Sequence, residues 1–580
     1  MNHPGRIAVP LVVAVTGHRD LVLAETTGIR DKARTMLLEL KDSYPDRRIR
    51  VMSALAEGAD RLVAELALEL GIDLVVPLPM KKELYLDDFA SAESRTQFEE
   101  LCAGASEILE LPLARGLTLD EISQPGPARS RQYAQLGVFL CAHCHILLAL
   151  WDGKLTDDLG GTGQVVKFHH DDIMPGYTSK TVATQQMLVD DESDLVYHIV
   201  CSRDRPDGEP LADLAPLEAF WFTNDSEHPR SREMPAQHRL IFERSSEFSR
   251  DAVRFADEIE AGKYPLFTDE QKGRLPPGVG DINRLFCIAD WLAIRYQQKV
   301  LLTLRVTHIL AFLMGLMFIL YSDIASWPYY MFAFLIFFLG AAAMQHLAKR
   351  RGWHRKYLDY RTLAEGLRVQ FYWAVAGITN ENESKFTHDN FLQTQDSELG
   401  WIRNVMRVAG TRCDVSPYRS PDGLGFVVNE WIGTADTGQL GYFARKASER
   451  IRRNHLTERL GQLSLLTSVA VVLVFVVAGS GLPDDWSGPL TTLMGTLLLA
   501  YGIREGYGHA TGEKDLIKQY QFMLRIFQNA RRRLDNTVDP VEQRQVLMAL
   551  GGSALDEHAQ WILMHRDRSI DQGEIWRMSS

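Results

Sequence analysis

Four apolar stretches set as two hairpins, Val306 to Ala348 and Leu460 to Ile503, constrain this chain more than any other feature, because each must be buried in a core or in a bilayer. Crossing the hydrocarbon layer takes roughly 17 to 25 mostly apolar helical residues. Tyr329 to Ala348 and Leu460 to Leu482 meet that demand without a single Lys, Arg, Asp or Glu. The arms VTHILAFLMGLMFILY from Val306 and PLTTLMGTLLLAYGI from Pro489 are shorter and fit a tilted crossing or a buried core helix. Flanking charge favours the membrane: Arg305 precedes the first arm, Lys349, Arg350 and Arg351 follow the second, Arg450, Arg452 and Arg453 precede the third, and Arg504 follows the fourth. The tips SDIASWPY and GSGLPDDWSG carry acids and no bases, so the positive-inside rule leaves both tips outside and every large segment in the cytoplasm. Trp327, Tyr329, Tyr330 and Trp486 at the tips suit an interfacial aromatic belt. The expectation is four transmembrane helices in two hairpins.

A chain of 580 residues has room for several domains. Its net charge of -12 is spread thinly, which argues against DNA or RNA as a general partner. Met1 to Arg6 leads straight into a strand-like run, so no signal peptide is expected and the first half should fold in the cytosol. Six cysteines without paired spacing read as reduced, mostly buried thiols.

The first 200 or so residues alternate short β-branched runs with helical patterns, the signature of a parallel sheet covered on both faces. The expected strands are IAVPLVVAVTG, RIRVMSAL, IDLVVPLP, EILELPL, HILLALWDG and DLVYHIVCSR. Between the second and third, Leu62, Leu66 and Leu70 recur at helical spacing, with Gly71 placed to end the helix. Sheets of this kind bind ligands where strands end and helices begin.

Three loops at such places are unusual. The first strand runs into Thr16-Gly17-His18-Arg19-Asp20, where glycine permits close backbone approach and His18 and Arg19 suit a phosphate or a base. The second ends in Ser53-Ala-Leu-Ala-Glu57-Gly58-Ala59-Asp60, with Gly58 opening a helix whose first N–H groups attract anions. The third is Leu150-Trp-Asp152-Gly-Lys154 followed by Gly160-Gly161-Thr162-Gly-Gln164, again a glycine-rich turn into a helix.

VTGHRD, SALAEGADRLVAE and ALWDGK...GGTGQVV, occurring in that order over residues 8 to 203, resemble the SLOG superfamily of Rossmann-like nucleotide-binding domains. The resemblance implies that Gly17, His18, Arg19, Ser53, Glu57, Gly58, Asp60, Asp152, Gly160, Gly161 and Thr162 line a nucleotide pocket. It also carries a departure. The LOG phosphoribohydrolases in that superfamily have a PGGxGTxxE segment whose glutamate takes part in hydrolysis, and GGTGQVV lacks both the leading proline and the glutamate. Binding is therefore expected over turnover, with Glu57, Asp60 or Asp152 as the carboxylates of the alternative, a membrane-tethered nucleotide hydrolase.

Two other motifs have blander readings. Cys141-Ala-His-Cys144-His145 matches the CxxCH haem-attachment pattern, but in a cytosolic sheet domain it reads as buried structural thiols, and no second pair at zinc spacing follows. His169-His-Asp-Asp172 reads as a solvated loop after a helix. No metal and no cofactor are expected.

Residues 204–280, rich in proline and charge, read as a connector. From Asp281 a long helical pattern enters the first hairpin without interruption, and each hairpin is followed by another long helix, YLDYRTLAEGLRVQFYWAV and then LIKQYQFMLRIFQNARRRL. A two-helix hairpin between long cytosolic helices resembles the SLATT family of membrane effector domains, over residues 281–400 and again over 401–580. The two resemblances together imply a nucleotide second-messenger sensor that drives a pore or a membrane disruption in bacterial antiviral defence. They imply a cyclic oligonucleotide or an ADP-ribose derivative as ligand, homo-oligomerisation, and residence in the inner membrane. A non-conducting scaffold at the membrane is the third possibility.

Overall fold

The computed structural model describes residues 9–178, 194–223, 229–378, 399–415, 421–478 and 484–567. Met1 to Arg6 and the first half of the second hairpin tip, residues 479–483, lie outside them. The chain divides into two compact units, Met1–Ala289 with Thr362–Leu424, and Asp290–Arg361 with Gly425–Ser580.

All six expected strands form in the first unit: β1 (Leu11–Gly17), β2 (Ile49–Met52), β3 (Asp73–Leu78), β4 (Glu107–Glu110), β5 (Ile146–Trp151) and β6 (Leu195–Val200). They pair in parallel, and β1 and β5 are almost wholly buried, as parallel strands covered on both faces must be. Two more strands, β7 (Ala219–Phe222) and β8 (Arg230–Ser231), lie within the stretch read as a connector and join antiparallel to β6 and to each other. The sheet is thus mixed, in the order β4-β3-β2-β1-β5-β6-β7-β8. Around it lie α1 (Thr26–Ser43), α2 (Ala59–Glu69), α3 (Ala92–Gly104), α4 (Pro127–His143), α5 (Thr162–Asp171) and α6 (Ala236–Arg254). Gly71, in the left-handed region at φ 64°, follows the last turn of α2, the place its sequence position indicated.

The chain continues through α7 (Val279–Asp323), α8 (Pro328–Arg350), α9 (Trp353–Ala376), α10 (Gly400–Val415), α11 (Gly438–Ala478), α12 (Asp484–Thr511), α13 (Glu513–Asp535) and α14 (Pro540–Asp567). Helix α10 belongs to the sheet unit and docks at the edge where β5 begins. There Asn404 O lies 2.9 Å from His145 Nε2 and Arg407 O lies 2.8 Å from His143 Nδ1. Burial pushes the His145 imidazole well below its ordinary pKa, and the neutral ring accepts from the Val12 N–H at Nδ1 (3.0 Å) while donating from Nε2 to Asn404 O. Both histidines of the CxxCH pattern are thus engaged in packing, and all six cysteines are free and buried.

Among the described residues three helices, not the expected four, are long and apolar enough to cross a membrane: α7, α8 and α11. Much of their apolar surface faces outward, including Phe318, Phe332, Leu335, Leu463 and Leu466. Helix α12 falls short because its apolar run is diluted by Pro489, Gly495, Gly502 and three threonines. It packs through those small residues: Leu499 fills the space beside Gly315 of α7, and Ile319 lies against Gly495. Ser464 of α11 donates to Leu497 O at 2.8 Å, and Gly461 faces Arg504, so α12 runs antiparallel to α11.

Candidate functional site

The chain steps outward from β1 to β4 and then returns to lay β5 on the other side of β1. That reversal leaves a crevice at the carboxyl ends of β1 and β5, where open α/β sheets hold ligands. Gly17 ends β1 and Asp152 follows β5, so two of the three glycine-rich loops meet there.

His18 knits all three loops together. Its carbonyl accepts from the Ala59 N–H (3.1 Å) at the start of α2. Its Nε2 lies 3.1 Å from the Asp152 nitrogen and 3.2 Å from Asp152 Oδ1. Burial would raise the Asp152 carboxyl, but the His18 contact and the Lys154 N–H, 3.0 Å from Oδ1, hold it below the usual carboxylate range. Its other oxygen, Oδ2, is buried and has no hydrogen-bond partner among the described residues. A buried carboxylate oxygen left open is an acceptor in want of a donor.

Arg19 is exposed at the mouth, with its guanidinium 5.6 Å from the centre of the Tyr133 ring. Desolvation would lower its pKa, but Tyr85, Tyr133 and Asp88 outweigh that and hold it above its ordinary value. Tyr133, on α4, hydrogen-bonds Asp88, which also pairs with Arg129 NH2 at 2.8 Å. The same tyrosine backs the third loop: a Cβ on Gly160 would stand 3.1 Å from Tyr133 Cβ and 2.8 Å from the Ala134 nitrogen. Gly161 and Thr162 then open α5, whose N-cap offers no side-chain hydrogen bond to the free N–H groups of the first turn.

The eleven expected residues all lie on the three loops, but they do different work. His18 and Asp152 meet, and Arg19 stands over Tyr133, which backs the loop of Gly160, Gly161 and Thr162. Gly17 serves the packing of the chain on itself, since a Cβ there would collide with Ala59 and stand 2.9 Å from Leu150 Cβ. Gly58, at φ 79°, does the same against the His18 and Arg19 carbonyls. Ser53 is fully buried, and its hydroxyl donates to Asp60 O at 2.9 Å. Glu57 accepts from Ser94 of α3. Asp60 is buried, and although the Ala56 N–H and the charges of Arg19 and Arg61 draw its pKa down, burial dominates and pushes it up to about 7. Asp88, Arg129 and Tyr133 were not anticipated. Their only trace in the sequence is Arg129 and Tyr133 four residues apart on a helix that starts at Pro127.

The raised Asp60 carboxyl has a measurable consequence. The folded chain keeps its proton to about 7, whereas the ordinary value is 3.8, so its contribution to stability is complete below 3.8 and is lost as pH rises through about 7. Asp60→Asn is expected to gain melting temperature relative to the wild type between pH 4 and pH 8. A pH-independent difference between the two would refute the assignment.

Among the described residues no group of three or more His, Cys, Asp or Glu is placed to hold a metal ion. No protein-family model matches the chain, and no curated protein is significantly similar to it.

Proposed function

We propose that the chain binds a nucleotide-derived signal in the β1/β5 crevice and acts on a bacterial inner membrane through its apolar helices, as the resemblance to SLOG sensors joined to SLATT effectors implies. The observation that carries the reading is the convergence of three glycine-rich loops on His18 and Arg19. The parts of a nucleotide have counterparts there: an exposed guanidinium and an uncapped helix N-terminus for phosphate, the Tyr133 ring for a base, and Asp152 for a hydroxyl or amine donor. A cyclic oligonucleotide and an ADP-ribose derivative both offer these groups.

On this reading the sensor lies in the cytoplasm, where the basic flanks of the spans place it. Ligand favours an oligomeric arrangement in which the helices open or disrupt the bilayer, and growth arrest of an infected cell follows. Helix α7 runs unbroken from Val279 to Asp323 and is the natural link. The ligand must bind the active arrangement more tightly, since equal affinity for both states shifts nothing.

The test uses the full chain in dye-loaded liposomes, with cyclic oligonucleotides and ADP-ribose derivatives added in turn. Leakage triggered by one of them is expected, and Arg19→Gln, which removes a charge-assisted contact, should weaken its binding roughly 10- to 100-fold. Nucleotide binding without leakage would turn the reading toward a scaffold, and no binding at all would end it. A second reading, hydrolysis, has one observation in its favour: the loops that meet on His18 carry one carboxyl raised to about 7, Asp60, and one held below the usual range, Asp152, and such a split is what an acid and a base need. Released base or ribose phosphate, in place of intact ligand, would establish it.

A further inference from the structure

We propose that the second unit binds anionic phospholipid headgroups through a band of six unpaired arginines, an inference that rests on the membrane reading above. Arg305, Arg350, Arg351, Arg452, Arg453 and Arg459 are all exposed, and among the described residues none of them makes an ion pair. Other arginines of the same unit are engaged. Arg355 and Arg566 pair with Asp359 at 3.1 and 3.0 Å, Arg361 with Asp290 at 3.2 Å, and Arg531 with Asp535 at 2.9 Å. Arg525, Arg532 and Arg533 on α13 are also exposed without an ion pair, so it is the grouping of the six beside the apolar helices, and not their being unpaired, that sets them apart.

Contacts between the helices set the six at one level. Lys299 lies 5.3 Å from the centre of the Trp353 ring, and Leu310 stands 3.5 Å from the position of a Gly340 Cβ, which aligns Arg350 and Arg351 with the part of α7 just before Arg305. The His308 and Tyr507 rings are 5.3 Å apart, and Gly461 faces Arg504 with 3.4 Å between that position's Cβ and Arg504 Cδ. Those two contacts bring Arg459 level with His308, and Arg452 and Arg453 about two turns further along. The six thus fall alongside about ten residues of α7, roughly 15 Å of helix.

The neighbourhood names the partner. The band borders outward apolar side chains directly: Leu456, Leu460 and Leu463 are 61, 59 and 62 % exposed. An acidic protein or a nucleic acid would match the charge and leave that apolar border in water. A phospholipid matches both, with its phosphate taken by the guanidinium fork and its acyl chains lying along the leucines. A basic residue at an anionic leaflet is worth about fivefold in affinity, so six acting together select strongly for negatively charged lipid.

The experiment takes the full chain in a neutral detergent and adds equal phosphatidylglycerol and phosphatidylcholine, then measures the lipid that co-purifies. Enrichment of phosphatidylglycerol by at least about tenfold is expected, falling to near parity when all six arginines are replaced by glutamine and largely returning when they are replaced by lysine. Parity in the wild type, or undiminished enrichment in the glutamine variant, overturns the proposal. A rise in melting temperature with inorganic phosphate alone that equals the rise with phosphatidylglycerol overturns it as well, since the band would then be a site for free phosphate. Flotation with pure phosphatidylcholine vesicles separates the two levels. A chain that floats there but shows no preference for phosphatidylglycerol refutes the band alone, and one that floats with neither lipid refutes the membrane reading beneath it.

Discussion

Gly58→Val is expected to lower the melting temperature of the sheet unit by roughly 5 °C, whether or not ligand is present. At φ 79° a β-branched residue is strained on its own account, at about 1–2 kcal/mol. The added Cβ would also collide with the Arg19 carbonyl and stand 2.6 Å from the His18 carbonyl, and neither is the free end of a side chain. Backbone that cannot move without breaking the Ala59 N–H to His18 O bond brings the total to about 3–5 kcal/mol. In a unit of this size that corresponds to the stated shift. Thermal unfolding of the full chain checks it, and a midpoint within 2 °C of the wild type would show that the β2–α2 loop relaxes freely. The consequence for function is practical. Loss of ligand response in this variant would report a damaged crevice, so the exposed side chain of Arg19, which carries no packing burden of this kind, is the better probe of binding.

Gly58 opens α2 as its position in the sequence indicates, but the sequence does not say what lies against it. A glycine at the end of a strand signals close approach, but not what approaches, and here it is the chain's own first loop. Gly17 and Ser53 follow the same logic. The six parallel strands were legible because strands buried on both faces must be short continuous runs of Val, Ile and Leu, as in LVVAV and ILLALW. AFWF was not, since four residues among prolines and charges carry no period, and only pairing with β6 makes them a strand. Tyr133 and Asp88 come to the site from separate segments through tertiary packing, which no local pattern encodes. The fourth apolar arm was read from its flanking Arg504 more than from its own composition. Its glycines and threonines let it pack closely between α7 and α11, and the same residues keep it below the apolarity of a span.

The other large effect is expected at the opposite edge of the sheet, where Arg407→Met should cost about 3–5 kcal/mol. Arg407 NH1 lies 3.2 Å from Asp194 Oδ1, with the two side chains 0 and 1 % exposed, which makes this a fully desolvated pair. Taking away the guanidinium removes this contact from a carboxylate buried out of reach of water. Adding Asp194→Asn removes the buried charge that lost this contact and should restore part of the loss, because much of the penalty belongs to the desolvated carboxylate and not to the missing attraction. Urea unfolding of the wild type, both single variants and the double variant closes the cycle. Additive losses would mean that the two side chains do not act as a pair. The double variant also bears on function. Helix α10 holds the sheet through His143, His145 and Asp194, all at the edge where β5 and β6 begin, while His18, Arg19 and Asp152 stand where β1 and β5 end. Nucleotide affinity should therefore survive in the double variant, and a loss of binding there would place α10 among the elements that shape the crevice.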